Sequence, residues 1–91
     1  MKSGLPLAIF HLPKFRRLYK KLPEQIQELA KKKEIIFRQN PFDPTLNTHK
    51  LHGPLDGFWA FYINFEYRVI FDFAGRKTVR FYAIGNHDIY Q

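Results

Sequence analysis

The chain has 91 residues, 45% of them hydrophobic and 18% aromatic, which suits one domain with one modest core and excludes a disordered composition. It holds no cysteine, which rules out disulfides, thiolate metal sites and a cysteine nucleophile. Fifteen Lys and Arg against eight Asp and Glu leave a net charge of +7, so polyanions are the expected partners: nucleic acid first, then an acidic protein or an anionic membrane.

Residues 1–91 read as a single domain without repeats. The first apolar stretch, Leu5 to Leu12, is broken by Pro6 and His11 and is too short for a secretory signal or a membrane span, so a cytoplasmic location is expected. Within it Leu7–Leu12 reads as a strand ended by Pro13. The period then changes: Phe15, Leu18, Tyr19 and Leu22 share one helix face, and Lys14, Arg16, Arg17, Lys20 and Lys21 take the rest. Pro23 suits the first position of a second helix, where its missing N–H is harmless, and Glu24 complements that end of the dipole. Its apolar stripe is Ile26, Leu29, Ala30, the stem of Lys33 and Phe37, with Ile36 beside it, and Asn40-Pro41 ends it.

Pro41 to Gly57 reads as a loop rich in Pro and Gly that carries His49, Lys50 and His52. Loops this long inside a small domain tend to be functional. Phe58–Phe65, Tyr67–Phe73 and Thr78–Ile84 then alternate as strands joined by tight turns, which implies an antiparallel meander. Trp59, Phe61, Ile63 and Phe65 share one face with Tyr67, Val69, Phe71 and Phe73 and with Val79, Phe81 and Ala83. Only the two helices can cover that face. The expected fold is α+β: an N-terminal helical hairpin on one face of a small curved antiparallel sheet, with the first strand at an edge or beside the last.

The other face matters more for function. Parity puts Tyr62, Arg68, Asp72, Arg80 and Tyr82 on it, and the tail Gly85-Asn86-His87-Asp88-Ile89-Tyr90 leaves the last strand nearby. A solvated sheet face seldom combines arginines, tyrosines, acids and a histidine in this way.

Taken together, several stretches resemble the RelE/ParE superfamily of bacterial toxins. They are Pro13-Lys14-Phe15 through Leu22-Pro23-Glu24-Gln25-Ile26, Asn40-Pro41 with the run His49 to Trp59, Tyr67-Arg68-Val69-Ile70-Phe71, and Ile84 to Tyr90. The match runs in order over nearly the whole chain from Phe10. The resemblance implies the toxin of a type II toxin–antitoxin pair. Its nuclease members cut mRNA in the ribosomal A site, and its ParE branch inhibits DNA gyrase. By that resemblance Arg68 is the strand arginine that meets the scissile phosphate. His87 and Tyr90 match the histidine and aromatic residue of the tail, and His49, Lys50 and His52 correspond loosely to cationic loop residues. Tyr90 follows His87 more closely than the terminal aromatic does in many relatives.

The residues themselves suit RNA cleavage. A base must take the ribose 2′-OH proton, a cation must hold the phosphoryl oxygens, and an acid must protonate the departing 5′-oxygen. Arginine meets phosphate with two parallel hydrogen bonds, and histidine, with an ordinary pKa of about 6.5, moves protons near neutrality. Arg68 is therefore the expected clamp and His87 the acid. His49, His52 and Glu66 compete as base, and Tyr90 stacks on a nucleobase or orients His87. Lys50, His52, Arg80, Tyr82, Lys31 and Lys32 are expected RNA contacts. The bland alternatives pair Arg68 with Asp72, leave His87 idle in a turn and make the lysines a solvated helix face. No cofactor or metal is expected, because nothing in the Pro/Gly-rich loop holds His49 and His52 inward toward His87 and Asp88. The expected partners are mRNA, the ribosome and a cognate antitoxin that is acidic and partly disordered, with no membrane. A gyrase inhibitor without catalysis and an inactive RNA-binding relative stay open, since one fold serves all three.

Overall fold

The structure, a computed structural model, describes residues 7–90, so Leu5 and Pro6 of the first apolar stretch and the terminal Gln91 lie outside the described residues. Strand β1 (Ala8–His11) leads directly into helix α1 (Pro13–Lys20), with Pro13 in its first turn and Arg17 and Lys20 in its last, where the dipole favours them. Pro23 is the N-cap of α2 (Glu24–Gln39), one position earlier than its composition suggests, and its carbonyl accepts from the N–H groups of Ile26 and Gln27. The turn between the helices is fastened by Gln27. Its Nε2 donates to the Tyr19 and Leu22 carbonyls at 2.9 and 3.2 Å, while Tyr19 Oη donates back to the Gln27 carbonyl at 3.2 Å. These bonds tie the end of α1 to the first turns of α2 and give the Leu22 carbonyl a donor.

The segment from Pro41 to Gly57 is more ordered than a loop. It holds 3₁₀ turns at Pro44–Leu46 and Gly53–Leu55 and the two-residue strand β2 (His49–Lys50). Asp43 caps the first turn by accepting from the Thr45 N–H at 2.9 Å and the Thr45 hydroxyl at 2.6 Å. Strands β3 (Trp59–Tyr62), β4 (Arg68–Phe73) and β5 (Thr78–Gly85) follow, then a 3₁₀ turn at His87–Tyr90. The sheet order is β1-β5-β4-β3-β2. The meander β2 to β5 is antiparallel, but β1 lies beside β5 in parallel, so the sheet is mixed and not wholly antiparallel.

Both helices pack on one face of this sheet. Phe37 is at the centre of that packing with no exposed surface, stacked on Phe61 at 4.7 Å and edge-on to Phe71 and Phe81 at 4.9 and 5.3 Å. Each such pair adds about 0.5–1.5 kcal/mol beyond its buried area. Three expected core positions differ, among them Phe73, which is 36% exposed at the end of β4. Phe65 is 88% exposed because the chain has already left β3 and is turning toward β4. In β5 a register shift makes Phe71 pair with Phe81 while Ile70 pairs with Ala83, so Tyr82 has no opposite partner. This bulge reverses parity: Ile84 joins the core cluster and Ala83 pairs on the open side. Among the described residues no helix is long and apolar enough to cross a membrane.

Candidate active site

The uncovered face of the sheet carries the chemistry. Tyr62 and Arg68 are directly paired across β3 and β4, and Gly85 is the partner of Arg68 on its other side. Because Gly85 has no side chain, Ile89 can lie close against it and the tail can fold back. The tail brings Tyr90 over Arg68, whose Cζ is 4.5 Å from the Tyr62 ring centre and 5.6 Å from the Tyr90 ring centre. Arg68 is only 9% exposed. Among the described residues its one side-chain hydrogen bond runs from Nη2 to the Phe65 carbonyl at 3.1 Å, and its buried Nε has no partner. A buried donor without a partner is rare, and the guanidinium it belongs to adjoins open space.

That space is a cleft of about 430 Å³. Arg68, His49, His52, His87 and Tyr90 line it, with Leu51, Pro54 and Leu55 as an apolar wall. His49 belongs to β2, and its Nδ1 lies 2.8 Å from the Asn47 carbonyl. A carbonyl only accepts, so Nδ1 carries the hydrogen and the neutral ring keeps its lone pair on Nε2. Asn47 can offer that carbonyl because it takes a left-handed conformation, φ 55°, at the end of the preceding 3₁₀ turn. The His49 ring also meets Tyr62 edge-on at 5.7 Å. Opposite, His87 and Tyr90 meet edge-on at 5.3 Å. Their turn is fixed by Asn86, whose side-chain oxygen accepts from the Asp88 N–H at 2.9 Å and whose carbonyl accepts from the Ile89 N–H at 3.1 Å.

The remaining sequence-predicted residues lie elsewhere. Glu66 is exposed in the turn before β4 and does not line the cleft. Lys50 alternates to the other side of β2 from His49, with its Nζ 5.7 Å from the Trp59 ring centre. Lys31 and Lys32 are on α2, on the opposite face of the sheet. Arg80 and Tyr82 share the open face but converge on Asp72. Arg80 donates to both its oxygens at 3.0 and 2.7 Å, and Tyr82 donates to one at 3.1 Å. Asp72 is thus the partner of Arg80 and not of Arg68. Its hydrogen bonds raise the Arg80 pKa above the ordinary arginine range, while burial, followed by the Asp72 charge, pushes the Tyr82 hydroxyl up.

The architecture matches several solved structures. A YoeB/ParE toxin from Agrobacterium tumefaciens superposes with a TM-score of 0.75 at 15% identity, over 89% of this chain and 99% of that one. The toxin fold recurs in the archaeal RelE–RelB complex from Pyrococcus horikoshii OT3, with a TM-score of 0.73 at 15% identity over 90% and 96% of the two chains. The DinJ–YafQ complex of E. coli gives a TM-score of 0.73 at 16% identity over 93% and 97%. This chain has the RelE/ParE toxin fold. No family model and no curated sequence matches it.

Within the RelE/ParE fold, the cleft includes features that sequence reasoning left out of the site. Tyr62 was legible as an open-face residue, but its role as the second ring against Arg68 depends on the β3–β4 register. Asn47 carried a local signal, since Asn is among the few residues that accept a left-handed conformation at a turn. Leu51, Pro54 and Leu55 gave none, because their place follows from how the 3₁₀ turn folds over the sheet.

Proposed function

We propose that this chain is the toxin of a toxin–antitoxin pair and acts as an endoribonuclease on mRNA held in the ribosome. The observation that carries this reading is Arg68: a guanidinium flanked by two tyrosine rings that lines a cleft with three histidines. In the reaction His49 Nε2 takes the proton of the ribose 2′-OH. The 2′-oxygen attacks the adjacent phosphorus, and Arg68 neutralises the charge gathering on the phosphoryl oxygens. The bond to the 5′-oxygen breaks, and His87 protonates that oxygen as it leaves. The products are a 2′,3′-cyclic phosphate and a free 5′-hydroxyl. Tyr90, beside His87, offers its ring to a nucleobase drawn out of the strand.

Relatives of this fold have been solved with partner proteins, among them YoeB–YefM from Staphylococcus aureus. The +7 charge supports an acidic, partly disordered antitoxin for this chain too, since such a segment can wrap a basic surface and keep the enzyme silent. The test is primer-extension mapping of mRNA ends in a reconstituted translation reaction, with wild type beside His87→Ala. New cuts at A-site positions that fall about 10²–10⁴-fold in the variant are expected. Intact mRNA under conditions where the wild-type chain still arrests growth would overturn the reading and direct attention to gyrase supercoiling.

A further inference from the structure

Past the end of α2, on the side of the sheet that the helices cover, three aromatic rings gather within reach of solvent. Phe42 is 51% exposed, Phe73 at the end of β4 is 36% exposed, and Trp59 of β3 is half-buried between them. The Phe42 and Phe73 ring centres are 6.0 Å apart with planes 22° from parallel, and Trp59 meets the two rings edge-on at 5.4 and 5.6 Å. Alternation puts Trp59 and Phe73 on the core side of their strands, but α2 stops at Gln39, and Phe42 lies against them instead. The Phe42 N–H donates to the Asn40 side-chain oxygen at 3.0 Å, which fixes the turn that carries the ring. Contiguous exposed rings of this kind mark a contact surface.

Lys50 gives the cluster a charge. Its Nζ is 5.7 Å from the Trp59 ring centre, and among the described residues it has no ion-pair partner. Asp43, which follows Phe42, directs a carboxylate oxygen to the Thr45 N–H and hydroxyl. Lys50 pairs with Trp59 across β2 and β3, whereas its neighbour His49 lines the Arg68 cleft. β2 is two residues long and lies at the edge of the sheet, so one short strand separates the cleft from the rings. Aromatic rings beside a free cation suit single-stranded nucleic acid, since every base has a flat face to stack and every phosphate a charge to meet. An acidic protein segment would satisfy Lys50, but it gives no reason for the rings to adjoin the cleft.

We propose that Phe42, Trp59, Phe73 and Lys50 form a second RNA subsite, which holds an unpaired stretch of the same strand after it passes His49 and rounds the β2 edge. A base stacks on the exposed Phe42 ring, and Lys50 meets an adjoining phosphate. The subsite rests on the RNA reading of the cleft and extends it with a grip, tolerant of sequence, outside the reacting nucleotides.

Trp59 is the single tryptophan of the chain, so its fluorescence reports on the subsite directly. The probe is a 2′-O-methyl oligoadenylate nonanucleotide, which has no free 2′-OH to attack, titrated into the purified full chain. Saturable quenching of Trp59 is expected. Phe42→Ser, at an exposed position outside the core, weakens binding about 5–150-fold, the range for one lost base–aromatic stack. Phe42→Tyr keeps wild-type affinity. Lys50→Glu weakens binding several-fold more than Lys32→Glu, which makes the same charge change on α2. Inorganic polyphosphate, a polyanion without bases, binds without comparable quenching. Unchanged affinity in Phe42→Ser, or equal quenching by polyphosphate, would overturn the proposal. Quenching by an acidic leucine-containing peptide and none by RNA would also overturn it and make the cluster a protein-docking surface. The two readings fail separately: cut mRNA without quenching by the nonanucleotide removes only the subsite, and quenching with mRNA left intact removes only the nuclease.

Discussion

At Arg68 a guanidinium is held 9% exposed with one side-chain hydrogen bond among the described residues, to the Phe65 carbonyl, while its buried Nε has no partner among them. Leaving a buried donor unpaired costs about 1–3 kcal/mol. The two tyrosine rings return about 0.5–2 kcal/mol as cation–π attraction, so stability alone gives little reason for the charge. On the proposed function, a scissile phosphate in the cleft supplies an acceptor for the terminal nitrogens of the guanidinium. Arg68→Met keeps the apolar stem between Tyr62 and Tyr90 and removes the unpaired donors. Thermal unfolding of this variant is expected at or slightly above the wild-type temperature; in a domain of this size about 1 kcal/mol corresponds to about 4–8 °C. RNA cleavage falls about 10²–10³-fold, the scale of losing a positioned donor to a developing oxyanion. A variant that unfolded well below wild type would make Arg68 a structural residue.

Among the elements, the 3₁₀ turn at His87–Tyr90 does most for the site, and its position depends on Gly85. A Cβ added at Gly85 would lie 2.6 Å from Ile89 Cγ2. That methyl sits on the branched Ile89 Cβ, whose χ1 is restricted, so relief requires Ile89 to leave its rotamer or the turn to move. Gly85→Ala is therefore expected to cut RNA cleavage at least tenfold by displacing His87 and Tyr90, with a stability loss of about 1–3 kcal/mol from overpacking. Adding Ile89→Ala reopens the space, and activity measured on the double variant recovers part of the loss. No recovery would place the defect elsewhere. The same scale explains what was legible. The helices declared themselves through a period carried by Phe15, Leu18, Tyr19, Ala30 and Phe37, and β4 did so through Arg68, Val69 and Phe71. The reversal at Tyr82 did not, because a bulge depends on pairing between strands and leaves no local trace. β2 is too short to show alternation, and the parallel docking of β1 on β5 is a choice between sheet edges that no residue of β1 announces. Of the cleft, Arg68 follows from strand parity and His87 from its place in the tail and the family resemblance, whereas the opposition of His49 to His87 requires the whole sheet order β5-β4-β3-β2 between them.

For the molecule as a whole, stability depends on pH at both ends, with the +7 charge of the 91 residues acting at the acid end and Tyr82 at the alkaline one. At the acid end the Thr45 hydroxyl, then the Thr45 N–H, holds the Asp43 pKa below its ordinary 3.8. Its contribution is complete above that value. As pH falls the unfolded chain takes up the proton first and the contribution fades, while neutralised carboxylates deepen the self-repulsion of the positive charge. At the alkaline end the order reverses. Burial, then Asp72, raises Tyr82 above its ordinary 10.0. Below 10.0 folded and unfolded chains both keep the proton, and the contribution is complete. Above it the unfolded chain loses the proton while the folded chain retains it, so stability declines as pH rises toward the folded value. Urea midpoints measured across the pH range are expected to form a plateau that falls off below 3.8 and above 10.0. Tyr82→Phe removes the titrating group together with its 3.1 Å bond to Asp72. The plateau should drop by about 0.5–1.5 kcal/mol for the lost hydrogen bond, and the alkaline decline should become shallower. An alkaline decline of unchanged slope in Tyr82→Phe would mean that the Asp72 cluster is not what limits the protein at high pH.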